Sequence, residues 1–180
     1  SDLIKTNIVD ANGVTVATAM SPFNFTTNDA KIVQELEIKN PKLWGIETPY
    51  LYKTISTIYE NNKAIDTYVE NFGVRTIKYS REGFFLNGRQ VKLKGVCLHN
   101  DLGALGSAVN YRATERQLEI MKSMGVNAIR TSHNPASPEQ LDLCDKMGIL
   151  VQEEAFDCWK LGKTENDYNK YWDKWHEQDL

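Results

Sequence analysis

The second half of the chain carries the same helix punctuation twice, 23 residues apart. Thr114 is followed by Gln117, and Ser137 by Gln140, the pattern of a capping box. Gly125 and Gly148 stand where each helix would stop, again 23 residues apart. Pro138 takes the first helical position of the second unit. Apolar runs surround the helices: Val91 to Leu98, Val126 to Thr131, and Ile149 to Val151. Matched punctuation at one period indicates a repeated β/α unit. Its strands should be parallel and its crossovers right-handed. An eight-stranded β/α barrel needs about 250 residues. The whole chain has 180, so the expectation is the first three β/α units of an incomplete barrel. A doubly wound sheet is the alternative, but it usually carries a glycine-rich phosphate turn after its first strand. His99-Asn100-Asp101-Leu102-Gly103 stands there instead.

The first half has a different grammar. Leu3 to Val9 and Val14 to Met20 alternate apolar and polar residues around Asp10-Ala11-Asn12-Gly13, a hairpin signal. Ile32 to Ile38 shows the same period of two. Leu51 to Tyr59 and Ala64 to Val69 are rich in Ile, Thr and Tyr and are joined by Asn61-Asn62-Lys63. None of these segments carries a helical stripe. Short strands at this spacing predict an immunoglobulin-like β-sandwich over residues 1–80. Residues 81–180 then hold the start of the barrel, entered through Phe84-Phe85-Leu86, the turn Asn87-Gly88 and a strand over Val91 to Leu98. Asn166 to Gln178 reads as a last helix, with Tyr168, Tyr171, Trp172 and Trp175 on one face. That stripe fits a core better than an aromatic sugar platform.

Composition narrows the partners. The chain is 41% hydrophobic and 25% charged, with a formal net charge of -3. No basic patch invites nucleic acid. No apolar run approaches the roughly 20 residues that span a bilayer. The start of the chain does not read as a leader, and the compartment stays open between cytoplasm and periplasm. Cys97, Cys144 and Cys158 lack metal-ligand spacing and read as buried thiols. An interrupted barrel would leave strand edges unpaired, so self-association, partial disorder after about residue 155 or a rearranged barrel segment is expected.

In a β/α barrel the working face lies at the C-terminal ends of the strands. His99, Asn100 and Asp101 follow the first strand, Ser132, His133 and Asn134 the second, and Asp157, Cys158 and Trp159 the third. This is a polar rim with an indole. It suits a sugar, whose hydroxyls need Asp, Asn and His partners and whose apolar face packs on Trp. Arg130 lies inside the second strand, where a charge is costly unless paired. Its partner is a carboxylate, either in the barrel mouth or in a structural ion pair. Glu153 and Glu154 would point to opposite faces of a strand. They cannot flank one glycosidic bond at the roughly 5–5.5 Å of a retaining mechanism, and one of the two is expected inward as a structural carboxylate.

These residues also carry a resemblance. Phe85-Leu86-Asn87-Gly88-Arg89-Gln90-Val91 through His99 resembles the entry to the barrel of glycoside hydrolase family 2. Ile129-Arg130-Thr131-Ser132-His133-Asn134-Pro135 resembles its second-strand signature, and Glu153-Glu154-Ala155-Phe156-Asp157 its third-strand end. Pro41-Lys42-Leu43-Trp44, Pro49-Tyr50-Leu51-Tyr52 and Phe72-Gly73-Val74-Arg75 are similar to the sandwich domain that precedes it. The run His99 to Gly106 looks most like β-galactosidase-type members.

The resemblance implies retaining hydrolysis of a β-galactoside by two glutamates, an acid/base on the fourth strand and a nucleophile on the seventh. Both are expected beyond Leu180, so the chain by itself is expected to be inactive. His99 and His133 would contact the sugar, Arg130 would orient the nucleophile, and Asp101, Asp157 and Trp159 would be further substrate contacts. Some members use Mg²⁺, with Glu and His ligands soon after the third strand. Asp157-Cys158-Trp159 stands there with no nearby His, so no metal or other cofactor is carried over. β-Glucuronidase or β-mannosidase activity, a carbohydrate-binding or structural module, and an unrelated β/α enzyme are the alternatives.

Overall fold

The computed structural model of the chain describes residues 2–23 and 31–180. The chain divides into two compact units, Ser1–Gln90 and Val91–Leu180.

The first unit is built on β1 (Asp2–Val9), β2 (Thr15–Phe23), β3 (Tyr52–Glu60) and β4 (Lys63–Phe72), antiparallel in the order β2-β1-β3-β4. Turn chemistry sets the connections. The Asp10 carboxylate accepts the amides of Asn12 and Val14, each at 2.9 Å, and caps the first hairpin. Asn61 and Asn62, with φ of 49° and 66°, form the left-handed pair that matches the twist of β3 and β4. Central β1 supplies buried Thr6, Ile8 and Val9, and β3 supplies buried Tyr52.

The strand expected over Ile32 to Ile38 does not join the sheet. Its burial alternates as the sequence implies, but it has no ladder partner among the described residues. A side chain anchors it instead: the Gln34 amide donates to Ile4 O at 3.3 Å and approaches Ser21 Oγ at 3.0 Å. Both sides of β1 are already occupied, by β2 and β3, so no ladder is open there.

A three-stranded meander follows, of β5 (Ile77–Ser80), β6 (Gly83–Leu86) and β7 (Arg89–Gln90). Asn87 and Gly88, with φ of 52° and 75°, turn β6 into β7. Trp44 is wholly buried beneath this region. Its amide donates to Val74 O at 2.8 Å, and its carbonyl accepts the Asn87 side chain at 2.9 Å. The Arg75 guanidinium lies 4.6 Å from the indole ring.

In the second unit β8 is shorter than the run Val91 to Leu98 suggested: only Gly95–Leu98 is strand. Asn127 accounts for the preceding residues, because its side chain takes the Lys94 amide at 2.7 Å and the Lys92 carbonyl at 3.0 Å in place of a ladder. Then come α1 (Tyr111–Ser123), β9 (Ala128–Thr131), α2 (Pro138–Met147) and β10 (Leu150–Gln152). The three strands are parallel, in the order β10-β9-β8. Leu118 and Met121 of α1, Leu143 and Cys144 of α2, Ile129 and Ile149 form one core, joined by Val96 and Leu98. Alternation along the strands then sends Cys97 and Arg130, paired in register, to the opposite face.

The helix ends match the sequence at α2 and at the Gly125 stop of α1, where φ is 85°, and differ at the start of α1. Ser137 Oγ accepts the Gln140 amide at 3.3 Å, Pro138 opens α2, and Gly148 ends it at φ 72°. α1 starts at Asn110, whose side chain accepts the Ala113 amide at 3.0 Å. Asn caps as well as Thr, and Asn110 comes first. Thr114 is therefore inside the helix and buried. The helix expected over Asn166 to Gln178 is also broken. It comprises a 3-10 turn, Tyr168–Lys170, and the short α3 (Trp172–Trp175). Only Trp172 of its four aromatic residues is buried, between Trp159 and His176.

Candidate functional site

Arg130 is the centre of the rim. β9 carries it to the face away from the helices, and Glu154, two residues beyond β10, meets it there. The contact is a two-pronged fork: Arg130 Nε donates to Glu154 Oε1, and Nη2 donates to Oε2 at 3.1 Å. His133 Nδ1 lies 3.0 Å from Glu154 Oε2 and 3.1 Å from Arg130 Nη2. The His99 ring meets the His133 ring edge to face at 5.8 Å. The Ser132–His133 peptide is cis.

The electrostatics follow from this packing. The Arg130 fork holds the Glu154 carboxyl below the usual carboxylate range, helped by His133. Glu154 in turn raises Arg130. The Cys97 thiol is drawn below the ordinary thiol range, by the Ser132 hydroxyl first and by Arg130 second. The Ser132 hydroxyl is buried and makes no well-aligned hydrogen bond. Cys97 itself is exposed, against the expectation of three buried thiols, whereas Cys144 and Cys158 are buried. The reason is its place on the outer face of β8, while Cys144 belongs to the core.

The expected rim residues fall into two clefts. His133, Arg130, Asp157 and Trp159 line one of about 510 Å³, together with Glu154 and Lys163. His99 and Asp101 line another, of about 240 Å³, with Thr114, Gln117, Ser137 and Gln140. Asp101 is engaged locally, its carboxylate accepting the Gly103 amide at 2.7 Å. Asp157 pairs with Lys163 at 2.7 Å. Trp159 stacks on Trp172 at 5.4 Å between ring centres and leaves 65% of its surface exposed. Glu153 and Glu154 do part company as their adjacency implies. Glu153 takes the Ala136 amide at 2.7 Å, while Glu154 faces Arg130 and His133. Sequence reasoning expects one of this pair inward and leaves open which; it is Glu154, whose amide donates at 2.9 Å to the buried Thr131 hydroxyl, a partner the sequence did not single out. Among the described residues, no group of three or more His, Cys, Asp or Glu side chains is placed to hold a metal ion. No helix among them is long and apolar enough to cross a membrane.

Residues 77–178 match the TIM barrel domain of glycosyl hydrolases family 2, and residues 3–75 match the domain described as glycosyl hydrolases family 2. The chain belongs to glycosyl hydrolases family 2. Its first unit is thus the family's sandwich-type domain and its second the start of the family's barrel. Named relatives resemble it over 69% to 99% of its length. Beta-galactosidase BoGH2A of Bacteroides ovatus is 49% identical over 98% of this chain and 21% of its own. A beta-glucuronidase of Bacteroides fragilis is 37% identical over 69% of this chain and 19% of its own. The crystal structure of a family 2 member from Bacteroides cellulosilyticus superposes with a TM-score of 0.95 and 41% identity, covering 99% of this chain and 23% of that one. The chain therefore spans about a fifth of the length of the curated relatives it matches.

Proposed function

We propose that the whole protein is a retaining glycosidase that hydrolyses β-galactosides, and that this chain supplies part of its sugar cleft. The identity of 49% to a β-galactosidase, sustained over 98% of the chain, carries the reading. His133, Asp157 and Trp159 share one cleft and offer an imidazole, a carboxylate and an exposed indole face to a pyranose. His99 and Asp101 contribute from the neighbouring cleft. By resemblance to the family, Arg130, anchored on Glu154, would orient the nucleophilic carboxylate.

The charge pattern favours a neutral sugar over a uronate. The cleft's arginine and lysine, Arg130 and Lys163, are each already paired, with Glu154 and Asp157. A uronic acid would bring a fourth carboxylate, beside Glu153, Glu154 and Asp157, with no further arginine or lysine among the described lining residues to receive it.

Glu154 does not supply the acid of the mechanism. A general acid must hold a proton at working pH, and Arg130 keeps this carboxyl ionised. Glu153 is engaged by the Ala136 amide. The resemblance to the family implies that acid/base and nucleophile stand on later barrel strands, beyond Leu180. The test offers 4-nitrophenyl β-galactoside, β-glucuronide and β-mannoside to the full-length protein and to the 180-residue chain. Preferred cleavage of the galactoside, with the β-anomer released first, is expected of the full-length protein alone. Preference for the glucuronide, or turnover by the short chain, would overturn the reading.

A further inference from the structure

We propose that Glu154 is a positioning residue of the cleft: its carboxylate holds the Arg130 guanidinium and fixes the proton of His133 on Nδ1, leaving Nε2 as the acceptor offered to a substrate hydroxyl. The inference rests on reading the cleft as a glycoside site.

The argument is one of donors and acceptors. Nδ1 of His133 lies 3.1 Å from Arg130 Nη2 and 3.0 Å from Glu154 Oε2. A guanidinium only donates, and an ionised carboxylate only accepts. A single ring nitrogen cannot answer both. Arg130 Nη2 already has an acceptor in Glu154 Oε2 at 3.1 Å, so it does not need the imidazole. The carboxylate, with lone pairs to spare, takes the Nδ1–H. In a neutral imidazole that leaves the lone pair on Nε2.

The carboxylate is itself held still. The amide of Glu154 donates to the buried Thr131 hydroxyl at 2.9 Å, tying the end of β10 to the end of β9. The other groups around the pair do not compete for Nδ1. The Cys97 thiol faces the other amino group of Arg130 at 3.7 Å, and His99 meets His133 through its ring. Glu153 is turned to Ala136. One carboxylate thus orients two residues of the cleft.

Full-length protein labelled with ¹⁵N-histidine reports the tautomer directly, at about pH 8, where an ordinary imidazole is neutral. The His133 signal, identified by its loss in His133→Gln, should show a protonated Nδ1 and a bare Nε2. A wild-type spectrum with the proton on Nε2 would overturn the proposal without any Glu154 variant. Glu154→Gln should erase the preference and lower kcat/KM for an aryl β-galactoside about 100-fold, mostly through kcat. Glu154→Asp, which keeps the charge, should fall between. Wild-type kinetics in Glu154→Gln would also overturn it. A wild-type protein without glycosidase turnover would instead overturn the functional reading, and the ring spectrum would then decide the proposal by itself.

Discussion

Cys97 and Arg130 face each other across β8 and β9, in register, with Sγ 3.7 Å from Nη1. The pair joins the most exposed of the three thiols to the best-anchored cation of the rim. The cation stabilises a thiolate, and the thiolate is the reactive form.

The first prediction concerns that thiol. Cys97 is exposed and its pKa is lowered, whereas burial pushes the Cys144 thiol up to about 12. Brief treatment of the native protein with iodoacetamide near neutral pH should label Cys97 well before Cys144. Peptide mass spectrometry reads the order. Arg130→Met should slow labelling of Cys97 and leave Cys144 unaffected.

The second concerns acid. The folded pKa of Glu154 lies below its unfolded value, so its contribution to stability is complete above the ordinary carboxylate range. It is lost as pH falls through the depressed folded value. The difference in unfolding midpoint between wild type and Glu154→Gln should therefore shrink from pH 7 toward about pH 3. A gap that stays constant over that window would contradict the assignment.

The third tests the start of α1. Asn110 holds the cap and Thr114 does not. Asn110→Ala should cost about 1 kcal/mol, as Ser137→Ala should at α2. Urea unfolding measures both. An Asn110→Ala with wild-type stability would return the cap to Thr114.

How far the sequence could be read follows from cases like this one. Ser137, Pro138 and Gly148 mark α2 by local chemistry alone, and local chemistry is what a sequence displays. At α1 two residues able to cap lie four positions apart, and packing chose between them by burying Thr114. The alternation in Ile32 to Ile38 told truly of one half-buried face, but a ladder also needs a free neighbouring edge, which lies elsewhere in the chain. The rim positions of His99, Arg130 and His133 followed from strand ends. Glu154 did not, because its role comes from a partner 24 residues away in the chain. The aromatic residues near the end show helical spacing, yet spacing cannot tell that the helix closes after one turn.

The fourth prediction lies in the first unit. A Cβ added to Gly73 would stand 2.6 Å from Trp44 Cβ and 2.7 Å from Cγ. The wholly buried indole has no room to yield. Gly73→Ala should destabilise the unit by about 1–3 kcal/mol. A shift in urea midpoint shows it, and a neutral substitution would mean that Trp44 can move.

Trp44 also bears on the order in which the first unit assembles. Its bond to Asn87 closes a loop of 43 residues. The hairpins turn on the short runs Asn61-Asn62 and Asn87-Gly88, and need wait for nothing distant. Closing long loops costs chain entropy before any contact repays it. Trp44 is therefore expected to act as the latch of this unit and not its seed. Its burial should come after the strands have formed and join them into a single body.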